Sequence, residues 1–271
     1  MFQRTGAYAP VPLGDLMRAL WTPYVWFSRR SIVVLIGVQV AVTLGIWLSL
    51  RATWLPSPVG IIEAWRQLIV NQGLLPNLLE SIRTSLISLV AAGLLSTLIV
   101  FLSTAPLFWP FAKFMAALRF LGFAGLTYIF TLLTKNGDDL KVGLLTFGMT
   151  VFMTTSLMAE VKAIPQSSID HCRTLDMHGW RISYELVLRG KLDTILDLVR
   201  QNAAVGWTLL TMVEGLVRSS GGVGVMLLNQ NRYFNLDGVF AIQITILLYG
   251  LLQDWFLGWV RQAVCPYLAT E

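Results

Sequence analysis

The sequence predicts an all-α membrane protein, a bundle of about six transmembrane helices. Hydrophobic residues make up 55% of the 271 residues, charged residues only 13%, and the mean hydropathy is +0.66. A soluble domain contains about 25% charged residues, so this chain has too few of them to cover a water-facing surface. Its long apolar runs come close to the roughly 20 residues that cross a bilayer as a helix.

Prolines, glycines and charged residues separate these apolar runs. Pro106 and Pro110 interrupt the helix after the second run, because proline cannot continue the hydrogen-bond ladder, and they predict a loop that holds Lys113 and Arg119. The six predicted spans cover residues 32–50, 84–104, 118–134, 142–160, 194–217 and 237–260.

The chain divides into three predicted parts. Residues 1–31 form an interfacial N-terminal segment, residues 32–260 the transmembrane domain, and residues 261–271 a C-terminal tail. Between the first two spans, residues 54–80 are predicted to be a loop outside the membrane. Apolar residues recur with helical spacing within this loop and predict a short amphipathic helix over residues 59–70.

Basic residues at the membrane borders orient the bundle. Six spans place both termini on one side, and five lysines and arginines lie between Lys162 and Lys191 on that same side. The positive-inside bias therefore places this side in the cytosol. The net charge of +5 is explained by contact with membrane lipid at these borders and indicates no nucleic-acid partner.

The most polar stretch is residues 165–191, PQSSIDHCRTLDMHGWRISYELVLRGK, here called the polar segment. Pro165 ends the preceding span, and Ser167 with Asp170 three residues later matches a capping box that predicts a new helix from residue 168. Gly179 is expected to end this helix, and Trp180 offers a large anchor. The alternative is an ordinary loop whose charges are solvated at the membrane surface.

The polar segment resembles the cytoplasmic loop of binding-protein-dependent ABC importer permeases. In that family the loop carries the EAA motif, approximately E-A-A-x-x-x-G, then nine residues, then an aliphatic residue and Leu-Pro. The similarity extends to WLPSPVGIIEAW after the first span and to VGWTLLTMVEGLVRSSGGVGVMLL late in the chain. Over residues 54–260 the pattern is most similar to the nitrate/sulfonate/taurine type of permease.

Several positions depart from the motif. Asp170 stands at its acidic position, His171 and Cys172 at the two alanines, and Asp176 at the glycine, although aspartate tolerates the left-handed turn better than most residues. Arg189 and Asp193 stand where prolines are expected. The resemblance implies a degenerate coupling helix over residues 167–180, whose contact residues are Asp170, His171, Cys172, Arg173, Thr174, Leu175, Asp176, Gly179 and Trp180.

The resemblance also implies a set of partners. These are a cytosolic ABC ATPase, an extracytoplasmic solute-binding protein received by loops 51–83 and 218–236, and a second permease subunit in a homodimer or heterodimer. The implied cargo is a small, anionic solute, and the implied location is the bacterial inner membrane. ATP hydrolysis is expected on a separate chain, because this sequence has no P-loop.

Polar residues near the ends of spans add further candidates. Glu214 and Arg218 are four residues apart near the end of the fifth span, which predicts a shared helix face. They form either a gate on a solute pathway or an intrahelical ion pair at the interface. The first turns of the fifth span are polar and are predicted to protrude beyond the membrane; their polar residues are Asp193, Asp197, Arg200, Gln201 and Asn202. Asp254 is expected at the membrane interface.

No catalytic or metal-binding arrangement is evident. Cys172, His171 and His178 fall short of the four closely spaced ligands of a structural zinc site, and the sequence calls for no cofactor. A membrane enzyme would require convergent acid, base or metal-binding residues at one depth. The alternatives to a transporter subunit are such an enzyme, a membrane scaffold that does not transport, and a divergent partner subunit of a heteromeric permease.

Overall fold

The structure of the protein is a computed structural model that describes residues 29–49, 56–218 and 221–266. Within these ranges the chain is helical and contains no strand, which confirms the predicted all-α class. Its α-helices are α1 (Arg29–Ser49), α2 (Pro58–Asn71), α3 (Leu74–Leu102), α4 (Trp109–Ala117), α5 (Phe123–Leu133), α6 (Gly137–Lys162), α7 (Gln166–Thr174), α8 (Trp180–Ser183), α9 (Leu192–Leu216), α10 (Val223–Arg232) and α11 (Leu236–Val264).

The helices fall into two compact units, divided after Ser57. The first unit contains α1, which matches the first predicted span closely. The Trp47 indole N–H donates to the backbone oxygen of Pro56, 3.1 Å away, within this unit. The predicted interfacial segment 1–31 lies outside the described residues, apart from its last three positions.

Three helices of the described residues, α3, α6 and α11, are long and apolar enough to cross a membrane. A fourth span results if α4 and α5 count as one, although a bend of 120° separates them. The other two predicted spans coincide with α1, whose apolar part is short, and α9, whose first turns are charged. The membrane-bundle class is confirmed, but fewer than six spans meet these measures of length and composition.

The third predicted span is wrong in its details. Residues 109–120 do not form a loop, because Pro110 stands in the first turn of α4, where its missing N–H would have no helical partner. Lys113 is therefore helical, with its ammonium group 3.8 Å from the centre of the Trp109 ring. The span predicted over residues 118–134 is divided at residues 121–122 into a 3-10 turn and α5.

The second predicted span begins ten residues too late. Helix α3 starts at Leu74, and its first turns carry polar residues that composition assigns to a loop. The amphipathic helix predicted over residues 59–70 is confirmed as α2, but α2 packs along α11, where the Trp65 indole N–H donates to Thr245 Oγ1 at 3.0 Å. Thr245 lies nine residues into α11, about 14 Å along its axis.

The core of the second unit lies where α3, α6 and α9 meet. Its fully buried members include Leu145 and Leu210, and Gly206 lets the Met149 side chain pack directly against the α9 backbone. Trp207 on α9 packs edge-on against Tyr249 of α11, with ring centroids 5.1 Å apart. This core holds the two ends of the bundle at fixed positions, one carrying the polar segment and the opposite one carrying α10.

Candidate functional site

The first helix of the polar segment, α7, begins at Gln166 rather than at residue 168. Pro165 is the N-cap, with extended dihedral angles of φ −69° and ψ 144°, and no side chain caps the helix. The predicted capping box is therefore wrong, because proline's restricted φ already sets the helix start two residues earlier. The Asp170 carboxylate instead accepts from Arg173 Nη1 at 3.0 Å and from Gln166 Nε2 at 3.3 Å.

The single coupling helix predicted over residues 167–180 is two helices separated by a tight turn. Helix α7 ends at Thr174, and the Asp176 N–H donates to the Arg173 oxygen while the Met177 N–H donates to the Cys172 oxygen. This is a Schellman motif, with Asp176 at its left-handed position at φ 57°. Gly179 does not end α7; it precedes α8 at φ 54° and ψ −125°.

Replacing Asp176 by glycine should stabilise this turn, because glycine adopts a positive φ without the steric penalty of a Cβ atom. We expect a gain of about 1 kcal/mol, which corresponds to roughly fivefold slower hydrogen exchange at residues 172–178. Asp176→Ala is the matched control, since it also removes the carboxylate but keeps a Cβ atom at positive φ. Equal exchange rates in the two variants would mean that the gain in stability does not come from the positive φ at residue 176.

The second helix of the segment is attached to the membrane helices. The Trp180 ring packs on Phe101 of α3 with centroids 5.3 Å apart, and Ser183 Oγ donates to Thr104 Oγ1 at 3.0 Å. After α8 the chain widens into a π-turn over residues 184–189 before α9 begins. The Lys191 ammonium group binds the Glu160 carboxylate of α6 at 3.1 Å. The polar segment is thus connected to α3, α6 and α9.

Most of the residues proposed for coupling are accessible. All of them except Cys172 are exposed, and the buried Cys172 is 7% exposed on the inner side of α7. Leu175 is 57% exposed at the turn that follows α7. These residues belong to α7, the turn after it and the first position of α8.

At the opposite end, Glu214 is fully buried near the end of α9. Its Oε1 accepts from Ser81 Oγ of α3 at 2.7 Å, and its Oε2 accepts from the backbone N–H of Gly224 at 2.7 Å. Ser81 Oγ in turn accepts from the Val223 N–H at 2.9 Å. Because a helix start leaves N–H groups without partners and is partly positive, the Glu214 carboxylate stabilises the start of α10.

The turn that precedes α10 is held by two further helices. The ammonium group of Lys141 on α6, which is 0% exposed, donates to the Gly221 oxygen at 2.6 Å. Asn77 of α3 accepts from the Gly222 N–H at 2.9 Å. Together with Glu214, these contacts form what we call the α10 anchor: Asn77, Ser81, Lys141, Glu214 and residues 221–224.

The predicted pairing of Glu214 with Arg218 is wrong. Helix α9 ends at Leu216, and Val217 leaves the helical conformation at φ −102° and ψ 81°. Arg218 is consequently exposed beyond the helix, and the ion pairs of the described residues do not include it. The reading of Glu214 as a gate remains a prediction.

Sequence reasoning missed most of the α10 anchor. Lys141 lies just before the fourth predicted span and was not among the candidate residues, and Asn77 and Ser81 fall in the predicted loop 51–83. The only signal in the sequence was the cluster of glycines at 221, 222 and 224 a few residues after an acidic residue. A Cβ atom on Gly222 would overlap the Glu214 carboxylate, and one on Gly224 would overlap the Thr211 oxygen.

The polar start of α9 contacts α11. Arg200 donates from Nε and Nη2 to the two carboxylate oxygens of Asp254, both at 2.6 Å, and Arg261 Nη1 binds Asp197 at 2.7 Å. These side chains thus lie between two helices. Asp193, Gln201 and Asn202 do not take part in these two ion pairs.

The structure thus has a polar segment at one end of an apolar helix bundle and the α10 anchor at the other. No established family profile matches the chain. It is 26% identical over 227 residues to the putative aliphatic sulfonates transport permease of Bacillus subtilis, covering 80% of this chain and 81% of that protein. It is 24% identical to a probable ABC transporter permease of Brucella melitensis, over 80% of this chain and 90% of the relative.

The taurine transport system permease of Escherichia coli is 24% identical over 131 residues, 48% of this chain and 47% of that protein. These similarities confirm the resemblance predicted from the sequence. The chain is thus similar to ABC transporter permeases over four fifths of its length. Two of these relatives are named for the transport of sulfonates and taurine.

Proposed function

We propose that this permease carries a small anionic solute across the bacterial inner membrane and takes its energy from a cytosolic ATPase that binds the polar segment. The exposed surface of α7 and the turn after it carries this proposal, because it stands clear of the bundle while α8 is fastened to α3. The sulfonate and taurine permeases are named for compounds that share a sulfonate group, which supports a cargo with an anionic group.

The contacts of the polar segment suggest how ATPase movement reaches the bundle. A displacement of α7 is carried by the short turn at Asp176 to α8, and from there to α3 through Trp180 and Ser183. The ion pair between Lys191 and Glu160 carries it to α6. Packed helices of this kind move as rigid bodies, so the bundle would alternate between two states.

The opposite end is proposed to receive an extracytoplasmic solute-binding protein through loops 51–83 and 218–236, with both termini in the cytosol. Helix α10 lies in the second loop and is held by the α10 anchor, so force applied to α10 passes directly to α3, α6 and α9. In this proposal Glu214 acts on the gate by fixing α10. A second permease subunit, identical or different, completes the pathway.

The experiment that tests coupling is uptake and ATP hydrolysis by the reconstituted complex carrying Asp170→Arg. We expect uptake to fall at least about tenfold, equivalent to about 1.4 kcal/mol, while basal ATP hydrolysis continues. Glu185→Arg is the control, because Asp170 and Glu185 each pair with an arginine one turn away, at 3.0 Å and 3.3 Å, while Glu185 lies outside α7 and the turn after it. Normal coupled transport in Asp170→Arg would overturn the proposal.

A scaffold that does not transport, or a divergent subunit of a heteromeric permease, is the second candidate. It is favoured by His171, Cys172 and Asp176, which differ from the residues of the EAA motif at these positions, since that motif is expected to bind the ATPase. The two candidates are separated by measuring solute-stimulated ATP hydrolysis in liposomes that contain the ATPase and this chain as the sole permease. A transporter subunit shows stimulation, and a scaffold shows none.

A further inference from the structure

The turn between α10 and α11 presents three exposed residues, Arg232, Tyr233 and Phe234, which we call the aromatic tip. Tyr233 is 82% exposed and Phe234 is 88% exposed, more than any other large hydrophobic residue that the structure describes. Aromatic side chains contribute most to stability when their large apolar area is buried. Two adjacent rings exposed to this degree are therefore typical of a surface that another molecule covers.

The backbone of the tip is strained at its most exposed residue. Phe234 lies at φ 53°, in the left-handed region that a bulky side chain rarely occupies. Asparagine or glycine would adopt this conformation at a lower steric cost. Strained residues of this kind are concentrated at functional sites. Because the ring packs so little against its own chain, the folding of this chain does not explain why a phenylalanine stands here.

A chain of amide side chains holds the tip in place. Gln230 is 8% exposed; its Nε2 donates to Gln72 Oε1 at 2.7 Å, and its Oε1 accepts from Asn235 Nδ2 at 2.8 Å. Asn235 Oδ1 accepts from the Gly238 N–H at 3.3 Å and caps α11. These bonds fix the turn before a partner arrives, and such preorganisation lowers the entropic cost of binding.

The tip lies on the water side of the membrane helices. Helix α11 carries Asp237 in its first turn and Arg261 in its last turn, and the two residues are about 36 Å apart along the helix axis. The hydrocarbon layer of a bilayer is about 30 Å thick, so it fits between these charges. The tip precedes Asp237 and itself follows the polar residues 229–231. Water, rather than hydrocarbon, therefore surrounds the two rings.

The geometry points to the aromatic tip as the anchor on which an extracytoplasmic solute-binding protein docks, an inference that rests on the proposed function. Tyrosine and arginine are enriched at the energetic centres of protein interfaces, in well-packed pockets from which water is excluded. Arg232 belongs to none of the ion pairs of the described residues, so a carboxylate of the partner is free to bind it. The matching surface is an apolar pocket with an acidic rim.

The test is the affinity of the whole complex, in nanodiscs, for the solute-binding protein of the same transporter. Phe234→Asn and Tyr233→Ser should each weaken binding at least about tenfold, because each removes a ring from the centre of the contact. Phe234→Asn should also raise the apparent melting temperature of the chain by roughly 2 °C, since asparagine tolerates the left-handed conformation. A ring that served the fold would give the opposite change in stability.

Phe120→Asn is the matched control. Phe120 is 81% exposed and also follows an exposed arginine, in the 3-10 turn between α4 and α5, and its loss should leave the affinity unchanged. Wild-type affinity in both Phe234→Asn and Tyr233→Ser would overturn the anchor, while the proposed function would stand. If the binding protein fails to bind even the wild-type complex, the proposed function loses this partner and the anchor falls with it.

Labelling separates a docked protein from the membrane surface. Tyr233→Cys is treated in nanodiscs with a maleimide that does not cross lipid, and the native Cys172 and Cys265 are both buried. We expect fast labelling of residue 233 that becomes slow once the solute-binding protein is added. Labelling that is blocked in the nanodisc alone and restored in detergent would show that lipid covers the tip, and the docking site would be wrong.

Discussion

Replacing Gly222 by alanine is expected to destabilise the protein by about 3 kcal/mol or more, because two penalties combine. The residue lies at φ 111° and ψ 164°, a conformation that is nearly restricted to glycine. The added Cβ atom would also overlap the Glu214 carboxylate, which is fixed by Ser81 and by the Gly224 N–H. Relief of that overlap requires breaking the α10 anchor.

The measurement is the apparent melting temperature of the purified chain in one detergent, where we expect a fall of roughly 6 °C or more. Gly215→Ala is the matched control in the adjacent helix, since its Cβ would lie at an ordinary 3.8 Å from Leu228 Cδ2. That variant should be neutral or stabilised by up to about 1 kcal/mol through helix propensity. Equal melting temperatures for the two variants would mean that Gly222 has room for a side chain.

Helices that follow an apolar run between clear breaks could be located from the sequence. The fourth, fifth and sixth predicted spans coincide with α6, α9 and α11 to within a few residues, because a turn signal or a proline marks most of their ends. The left-handed conformation of Asp176 could also be anticipated, since a glycine position in a motif indicates a positive φ.

Contacts between distant parts of the chain could not be predicted. Lys141 and Gly221 are 80 residues apart, and Asn77 and Gly222 are 145 residues apart, so no local pattern relates them. Composition also misled where polar residues begin a long helix. The second predicted span begins after Asn77 and Ser81 because both are polar. In the structure both belong to α3, and their side chains bind the start of α10.

Arg200 illustrates the same limit at the other end of α9. A charge near a helix start is usually solvated, and the sequence offered no reason to place it against Asp254, 54 residues later. Only the packing of α9 on α11 brings the two side chains together. An ion pair made by helix packing is therefore visible in the structure alone.

Removing either charge of the α10 anchor is expected to cost about 1–3 kcal/mol for each buried group that loses its hydrogen-bond partner, and the opposite charge nearby also loses part of its compensation. Glu214 and Lys141 are both 0% exposed, and they bind the same turn at Gly224 and Gly221. We expect Glu214→Leu and Lys141→Met each to be strongly destabilised. The double variant should lose less than the sum of the two, by about 1–3 kcal/mol.

The check is a double-mutant cycle on apparent melting temperatures, with the ion pair of Glu160 and Lys191 as control. That pair is 3.1 Å apart, but its side chains are 39% and 31% exposed, so its coupling should stay below about 1 kcal/mol. Strictly additive losses at Glu214 and Lys141 would mean that the two charges act independently. In that case the turn before α10 would be held by separate hydrogen bonds, including those to Asn77 and Ser81, and not by a balance of the two charges.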